Sequence, residues 1–244
     1  MTGGPEPLDR AFASPQAKER YARRLFATIA DRYDLITVLL SFGLDRRWKR
    51  RVVDLAAPIA ASRALDLASG TGDLALALTS RGAFAVGLDV THRMLQLARG
   101  KAASSNVRRS PAFVTGDMCA LPFPAEHFDM VTTGYGLRNV PDLRLAVAET
   151  FRVLRPGGTL VSLDFNRPEN GLLRGVYLGY LWVVGGALGW VLHRDPDTYR
   201  YIPASIRRYP GAAKVTELMR SEGFSHAEWI PVLGGLMAIH VARK

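Results

Sequence analysis

From Arg63 onward the chain alternates short apolar runs with amphipathic segments, and this alternation limits the fold more than any other feature. Apolar runs at residues 64–68, 84–89, 112–116, 128–133 and 159–165 are interleaved with helix-like stretches at residues 73–80, 91–103 and 142–154. Strands spaced by helices in this way predict a parallel, doubly wound α/β sheet. The last two apolar runs, residues 226–232 and 236–242, are separated only by Leu233-Gly234-Gly235. A parallel crossover needs about a dozen residues or more, so these runs must form an antiparallel hairpin.

The segments flanking this alternation are of other kinds. Residues 1–16 hold three prolines and no apolar period, which predicts a mobile N-terminal arm. Residues 17–60 read as a helical cap: Tyr21, Leu25, Ile29 and Tyr33 recur every four positions, and a second helix is expected over residues 46–57. Residues 166–210 break the alternation and read as a helical insertion, followed by a helix over 212–222. The expected organisation is therefore one domain over residues 17–244. With 48% hydrophobic and 22% charged residues, wholesale disorder and a polytopic membrane protein are excluded. A single cysteine, Cys119, excludes an internal disulfide framework. No close set of His, Cys and carboxylates suggests a metal. The first residues lack the apolar core of a secretory signal, so a cytoplasmic protein is expected.

Charge is less ordinary: Lys+Arg 32 against Asp+Glu 22 gives +10. Such an excess draws a chain toward phosphate surfaces, either nucleic acid or anionic lipid headgroups. The basic residues are scattered in short clusters, Arg46-Arg47, Lys49-Arg50-Arg51, Arg108-Arg109 and Arg207-Arg208, with no continuous tail. A solvated surface accounts for each cluster taken alone.

Three strand ends carry the chemistry. The first strand holds Asp66 and runs into Ser69-Gly70-Thr71-Gly72-Asp73, where glycines let the backbone pass close to a ligand beside a helix N-terminus. A third glycine of a dinucleotide fingerprint would fall at Ala75, a substitution that fingerprint allows, so this position decides nothing. Asp89 ends the second strand, 17 residues after Gly72, where a carboxylate can accept from both ribose hydroxyls. Asp117 ends the third, placed to take an adenine amino group while Met118 packs on the ring. Together with the antiparallel ending, these positions resemble the class I S-adenosylmethionine (SAM) methyltransferase fold; SAM has no phosphates, so the glycine loop need only admit its methionine moiety.

The chain further resembles the ubiquinone/menaquinone biosynthesis C-methyltransferase family (UbiE/MenG) from about residue 27 to the end. The likeness rests on Tyr33-Asp34-Leu35-Ile36-Thr37-Val38-Leu39-Leu40-Ser41 continuing to Trp48, on Gly134-Tyr135-Gly136-Leu137-Arg138-Asn139-Val140, and on Arg152-Val153-Leu154-Arg155-Pro156-Gly157-Gly158. Ser205-Ile206-Arg207, Tyr209-Pro210 and Gly234-Gly235 also fit. Thr37 stands where the family usually has Asn, Asp45 where it often has His, and Asp164 and Asn166 replace its downstream Glu and Ser. The resemblance implies SAM-dependent methylation of a ring carbon of a prenylated quinol, most directly demethylmenaquinol to menaquinol. A ubiquinone-pathway benzoquinol or another hydrophobic aromatic molecule is the alternative.

In that chemistry a quinol carbon is a weak nucleophile until its phenol loses a proton, so the enzyme must align the reacting atoms and stabilise an oxyanion. Arg138, with its permanent charge, is the expected oxyanion holder; its alternative role is an ion pair inside the fold. Asn139 is expected to orient the ring oxygen, and Tyr33 to wall the substrate or exchange a proton with it, unless it only anchors the helical face. Gly134 joins Asp66, Gly70, Thr71, Gly72, Asp89, Asp117 and Met118 as a cofactor-site residue. No histidine sits in a catalytic pattern, and the sequence names no general base.

Residues 175–192 run 18 positions without a charge, at the threshold for a membrane span. Their glycines and aromatics favour instead a groove for an isoprenoid tail that touches an anionic bilayer surface, ahead of a buried helix, with a true span last. The expected partners are thus a prenylated quinol and a peripheral membrane contact, with a homodimer left open. A nucleic-acid-binding role is disfavoured, because the sequence lacks an aromatic-basic strand motif and an Asn-Pro-Pro-Tyr type motif for base amines.

Overall fold

The computed structural model describes residue 8, residues 10–41 and residues 43–244. Half of the expected arm, residues 1–7 and 9, lies outside the described residues. The described part is anchored at Ala11 and Phe12, whose apolar groups have partners to meet. Arg10–Phe12 forms a 3₁₀ turn with Ala11 fully buried, and the Phe12 ring stacks on Tyr201 with centroids 5.6 Å apart. Helix α1 (Pro15–Ile29) begins two residues before the expected start, since Ser14 caps it by accepting from the Ala17 backbone N–H and Pro15 tolerates the first turn.

The cap holds one break that periodicity did not reveal. A 3₁₀ turn over Ala30–Arg32 redirects the chain, so Tyr33 opens a new helix, α2 (Tyr33–Leu40), instead of continuing the Leu25/Ile29 face. Helix α3 (Asp45–Ala56) follows and buries Trp48, Val52, Val53 and Ala56 against the sheet.

The alternating region gives β1 (Arg63–Leu67), α4 (Asp73–Ser80), β2 (Phe84–Asp89), α5 (His92–Ala103), β3 (Ala112–Thr115), β4 (Phe128–Gly134), α6 (Leu143–Val153) and β5 (Leu154–Phe165). Strand β5 begins earlier than expected. Pro156-Gly157-Gly158 does not end α6 but lies inside the strand, at an irregularity where the β4–β5 register shifts between Phe128 and Met130. The insertion is helical as expected, forming α7 (Gly171–His193) and α8 (Asp197–Arg208). Helix α9 (Ala212–Ser221), β6 (His226–Val232) and β7 (Met237–Arg243) complete the chain.

All seven strands form one sheet in the order β3-β2-β1-β4-β5-β7-β6. Strands β1 to β5 pair in parallel, while β7 runs antiparallel between β5 and β6. The order reverses between β1 and β4, which opens a crevice at their C-terminal ends. Alternate residues of β1 feed the two faces: Leu65 and Leu67 join a core closed by α6 and α9, and Ala64 joins one closed by α3 and α4.

Gly185, Gly186 and Gly189 of α7 face the start of α8. At Gly185 a β-carbon would stand 3.1 Å from the Tyr199 carbonyl oxygen, so these positions let α8 lie close against α7. Arg200 of α8 then stacks its guanidinium 3.9 Å above the Trp182 ring.

His240 of β7 is buried opposite Ser162, with Nε2 3.1 Å from the Ala212 carbonyl oxygen. Burial pushes the imidazole down to about 4, below its ordinary 6.5. Folding therefore favours the neutral ring; its contribution is complete above pH 6.5 and disappears as the pH falls through about 4, by ~3 kcal/mol at most. Unfolding of His240→Gln followed against pH should show a flatter loss of stability over that window than the wild type. Identical pH slopes would contradict this role for His240.

Candidate active site

The glycine loop is shaped from below and from the side. Gly70 and Gly72 both take left-handed backbone, at φ 53° and 85°, and Gly72 caps α4. Beneath the loop, Asp66 accepts from the Thr132 hydroxyl at 2.9 Å and from the Ala75 backbone N–H at 3.2 Å, fixing the first turn of α4 to β1 and β4. Burial raises its carboxyl to about 7, against the pull of the Thr132 hydroxyl and the Ala75 amide. Beside the loop, Asp89 accepts from the Gly70 N–H at 2.9 Å with one oxygen and from the Thr91 N–H at 2.8 Å with the other. Burial raises Asp89 as well, opposed by those two amides. Each of its oxygens keeps a further lone pair for a ligand hydroxyl.

A cleft runs along these strand ends past Gly70, Asp89, Asp117, Met118 and Gly134, five of the residues expected at a cofactor. The other three stand behind it. Asp66 and Thr71 line only a small cavity under the loop, and Gly72 lines neither. A β-carbon at Gly72 would lie 3.0 Å from the Phe113 ring, so its smallness serves packing between β3 and the loop. The Thr71 hydroxyl donates to Asp34 Oδ1 at 2.6 Å, tying the loop to α2.

Charge identifies what the cleft can hold. Its lining contains Glu19, Asp89 and Asp117 and no Lys or Arg. A dinucleotide would bring phosphates onto this acidic lining, where the neighbouring cations Lys18 and Arg23 are held by the Val140 and Val90 carbonyl oxygens. A nucleoside joined to a sulfonium and an ammonium group fits it, with Asp89 at the ribose and Asp117 free on Oδ2, since Oδ1 accepts from the Cys119 N–H at 2.8 Å.

A second, apolar chamber of about 350 Å³ opens against the first, walled by α1 and α2 of the cap and by Val176, Tyr177 and Leu181 of α7. The cleft and the chamber share Phe26, Tyr33, Tyr135 and Asn139. Tyr33 therefore stands at the junction, its ring 3.8 Å from where a Gly70 β-carbon would be, and burial pushes its phenol up to about 12. Asn139 is oriented by donating from Nδ2 to the Tyr135 carbonyl at 2.7 Å, which leaves its buried Oδ1 with no partner among the described residues. An unpaired buried acceptor costs about 1–3 kcal/mol unless a ligand satisfies it.

Arg138 makes the internal ion pair that the sequence allowed and also lines the chamber. It faces the chamber, yet its backbone N–H and Nε donate to Asp164 at 3.0 and 3.3 Å, and Nη1 donates to the Ser205 hydroxyl of α8. Burial raises Asp164, and the Arg138 charge opposes that rise. Nη2 makes no hydrogen bond to the described residues and remains available to the chamber.

Sequence reading missed the polar group behind the junction. The Tyr135 hydroxyl donates to Asp45 Oδ1 at 2.7 Å, and Lys49 lies 2.7 Å from Asp45 and 2.9 Å from Asp73. Lys101 continues the chain at 2.6 Å from Asp73 and 2.7 Å from Asp34. The one sequence signal was Asp45 itself, standing where the resembled family often has His. None of the histidines lines the cleft or the chamber.

Comparison with known proteins agrees with this geometry. The chain matches the sequence model of the ubiE/COQ5 methyltransferase family over residues 14–244. The demethylmenaquinone methyltransferase of Thermus thermophilus is 44% identical over 222 residues, covering 90% of this chain and all of that protein. The ubiquinone/menaquinone biosynthesis C-methyltransferase UbiE of Methylococcus capsulatus is 37% identical over 230 residues, or 93% of each chain. Among solved structures, a SAM-dependent methyltransferase of Thermotoga maritima, described as a possible histamine N-methyltransferase, superposes with a TM-score of 0.65 at 17% identity over 91% of this chain and 99% of that one, a likeness of fold alone.

Replacing Asp89 with Asn keeps an acceptor for one amide and removes the charge. SAM affinity measured by calorimetry should fall about 10–100-fold, from the roughly 1.5–3 kcal/mol carried by a hydrogen bond to a charged group. An unchanged affinity would place the nucleoside elsewhere.

Proposed function

This chain belongs to the ubiE/COQ5 methyltransferase family, and on that footing we propose that it methylates a ring carbon of a prenylated quinol, demethylmenaquinol in the first place. It is a SAM-dependent methyltransferase of the class I fold. The observation that carries the quinol reading is the meeting of an acidic nucleoside cleft with an apolar chamber at Tyr33, Tyr135 and Asn139. A flat aromatic ring with a hydrocarbon tail satisfies the chamber, and its hydroxyl satisfies Asn139 Oδ1.

SAM supplies an electrophilic methyl group at this junction. The protein's part is to place the ring carbon in line with it and to tolerate charge on the adjacent oxygen. Asn139 accepts from the quinol hydroxyl, and Tyr33 walls the ring. Arg138 presents Nη2 to the developing oxyanion, its charge moderated by Asp164, so the pair can serve a neutral quinol without binding a permanent anion. Helices α1 and α2 cover the junction and exclude water that would compete for these donors.

The surroundings of the chamber support a peripheral contact with an anionic membrane at the cytoplasmic side. Helix α7 exposes Leu172, Val176, Val183, Trp190 and Val191, and α2 exposes Leu35 and Leu39. Alone among the described helices, α7 is long and apolar enough to cross a bilayer, with mean hydropathy 1.5, but it pairs with α8 and walls the chamber, which supports a helix lying at the interface. Arg47, Arg50 and Arg51 line an open groove that adjoins the chamber through Trp48. A tailed quinol would pass from the bilayer into the chamber across this rim.

Methyl transfer from labelled SAM to reduced, short-tailed demethylmenaquinol, with a benzoquinol precursor alongside, tests the reaction. Label in the methylated naphthoquinol is expected; label only in the benzoquinol would move the substrate, and label in neither would remove the quinol reading. Flotation with vesicles tests the membrane contact. Binding to anionic vesicles at low salt should weaken about a hundredfold on replacing Arg47, Arg50 and Arg51 together with Ala, at ~1 kcal/mol per basic residue. Wild-type protein that ignores anionic vesicles would contradict it.

A further inference from the structure

We propose that Tyr135 takes the proton of the quinol hydroxyl and passes its own to Asp45, which Lys49 holds in place from behind. This assignment rests on the quinol reading above and supplies the base which that reading leaves unnamed.

The geometry of Tyr135 is unusual in three respects. It follows β4 with left-handed backbone, φ 63°, a conformation that costs a bulky residue of order 1–3 kcal/mol and persists only where surrounding structure enforces it. Its N–H donates to the Leu163 carbonyl at 2.7 Å, which holds that bend in place. The side chain so directed lines the nucleoside cleft, the apolar chamber and the small cavity under the glycine loop. Few side chains occupy a place so near the point where methyl donor and acceptor must meet.

The hydroxyl of Tyr135 ends on Asp45 at 2.7 Å, deep in the protein, where the Asp45 side chain is only 4% exposed. Asp45 also has Lys49 at 2.7 Å, and its backbone N–H donates to the Ser41 hydroxyl at 3.1 Å, so it is fixed in orientation. It lines neither the cleft nor the chamber, and Tyr135 is the group that connects it to both. Burial and the neighbouring carboxylate hold the Tyr135 phenol well above its ordinary range. Tyr135 thus keeps its proton at neutral pH and acts as a relay, donating to Asp45 while its other lone pair accepts from substrate. Beyond Asp45, Lys49 contacts Asp73 at 2.9 Å, and Asp73 contacts Lys101, whose side chain is one-third exposed.

The step balances as follows. The quinol O–H bond breaks as the proton moves to Tyr135 Oη, and the Tyr135 proton moves to Asp45. The oxygen's electron pair feeds the ring, and the adjacent carbon forms its bond to the methyl as the sulfonium S–CH₃ bond breaks, leaving a neutral thioether. The methylated carbon then loses its hydrogen as a proton, the ring regains aromaticity, and the oxygen recovers a proton from Asp45 through Tyr135. One proton in all is released to solvent.

Tyr135→Phe and Asp45→Asn test the relay in the full-length protein. Each should lower kcat for reduced short-tailed demethylmenaquinol at neutral pH by about a hundredfold or more, within the range of general-base catalysis. SAM affinity should stay close to wild type in both variants, and Tyr135→Phe should keep the wild-type melting temperature, whereas Asp45→Asn should melt lower because Lys49 loses a charged partner. The deficit should shrink as pH rises toward ionisation of the quinol, and also on a ring-halogenated quinol whose hydroxyl is more acidic. The double variant should be no slower than either single one. Wild-type kcat in both variants, or a loss of equal size at every pH and on both quinols, would overturn the relay while leaving the quinol reading intact. If Tyr135→Phe fails to fold, Asp45→Asn, which keeps an acceptor for the phenol, decides the matter by the same pH profile. A wild-type enzyme inactive on every quinol would overturn the quinol reading and the relay with it.

Discussion

Asp45, Lys49, Asp73, Lys101 and Asp34 form one chain of alternating charge across the strand ends, and it joins the cap helices to the glycine loop and to Tyr135. Lys49 is the central link: burial alone would lower its ammonium, but Asp73 and Asp45 beside it hold it well above its ordinary value. Removing either partner would leave charge uncompensated in a dry place, at a cost of about 3–5 kcal/mol. The outer link is different. Lys101 and Asp34 are partly exposed, and such a pair contributes roughly 0–1 kcal/mol by itself. Its value is positional, because Asp34 also accepts from Thr71 and so holds α2 against the glycine loop. The same chain that seats the cap also seats Tyr33 and Tyr135 between the two cavities.

The two cavities divide the problem of methyl transfer by polarity. The cleft is acidic and suits a cationic nucleoside; the chamber is apolar and suits a hydrocarbon tail. Polar groups on the chamber side are few and are held from behind: Arg138 by Asp164 and Ser205, Asn139 by the Tyr135 carbonyl. Such support fixes the donors and acceptors before substrate arrives, which spares reorganisation during the reaction. The insertion α7–α8 contributes both to this support and to the chamber wall, so the part of the chain outside the alternating fold is the part that shapes the acceptor side.

Much of this was legible in the sequence because period and spacing are local. Strand and helix alternation gave the sheet, and Leu233-Gly234-Gly235 gave its antiparallel ending. Gly70, Asp89, Asp117 and Met118 could be placed at strand ends by order alone, and they line one cleft. Contacts between distant segments left no such trace. Thr71 and Asp34 meet across 37 positions and Tyr135 and Asp45 across 90, with no period to connect them. The bend over Ala30–Arg32 was hidden because Tyr33 continues a four-residue repeat that the backbone itself abandons. Likewise the hydrogen bonds and packing that Asp66, Thr71 and Gly72 make within the fold could not be read from their place beside Gly70. The uncharged run 175–192 read first as a groove, then as a buried helix and last as a span, and nothing in its period foretold the close approach of α8 at Gly185.

The central claim is that donor and acceptor meet at Tyr33, Tyr135 and Asn139, and a crystal structure with S-adenosylhomocysteine and a short-tailed menaquinol tests it most directly. The account predicts the thioether sulfur in the acidic cleft, facing the ring methyl across that junction. The neighbouring ring oxygen should lie within hydrogen-bond distance of Asn139 Oδ1 or Tyr135 Oη, with the tail along α7. A quinol ring bound away from these residues, with the nucleoside in its cleft, would contradict it.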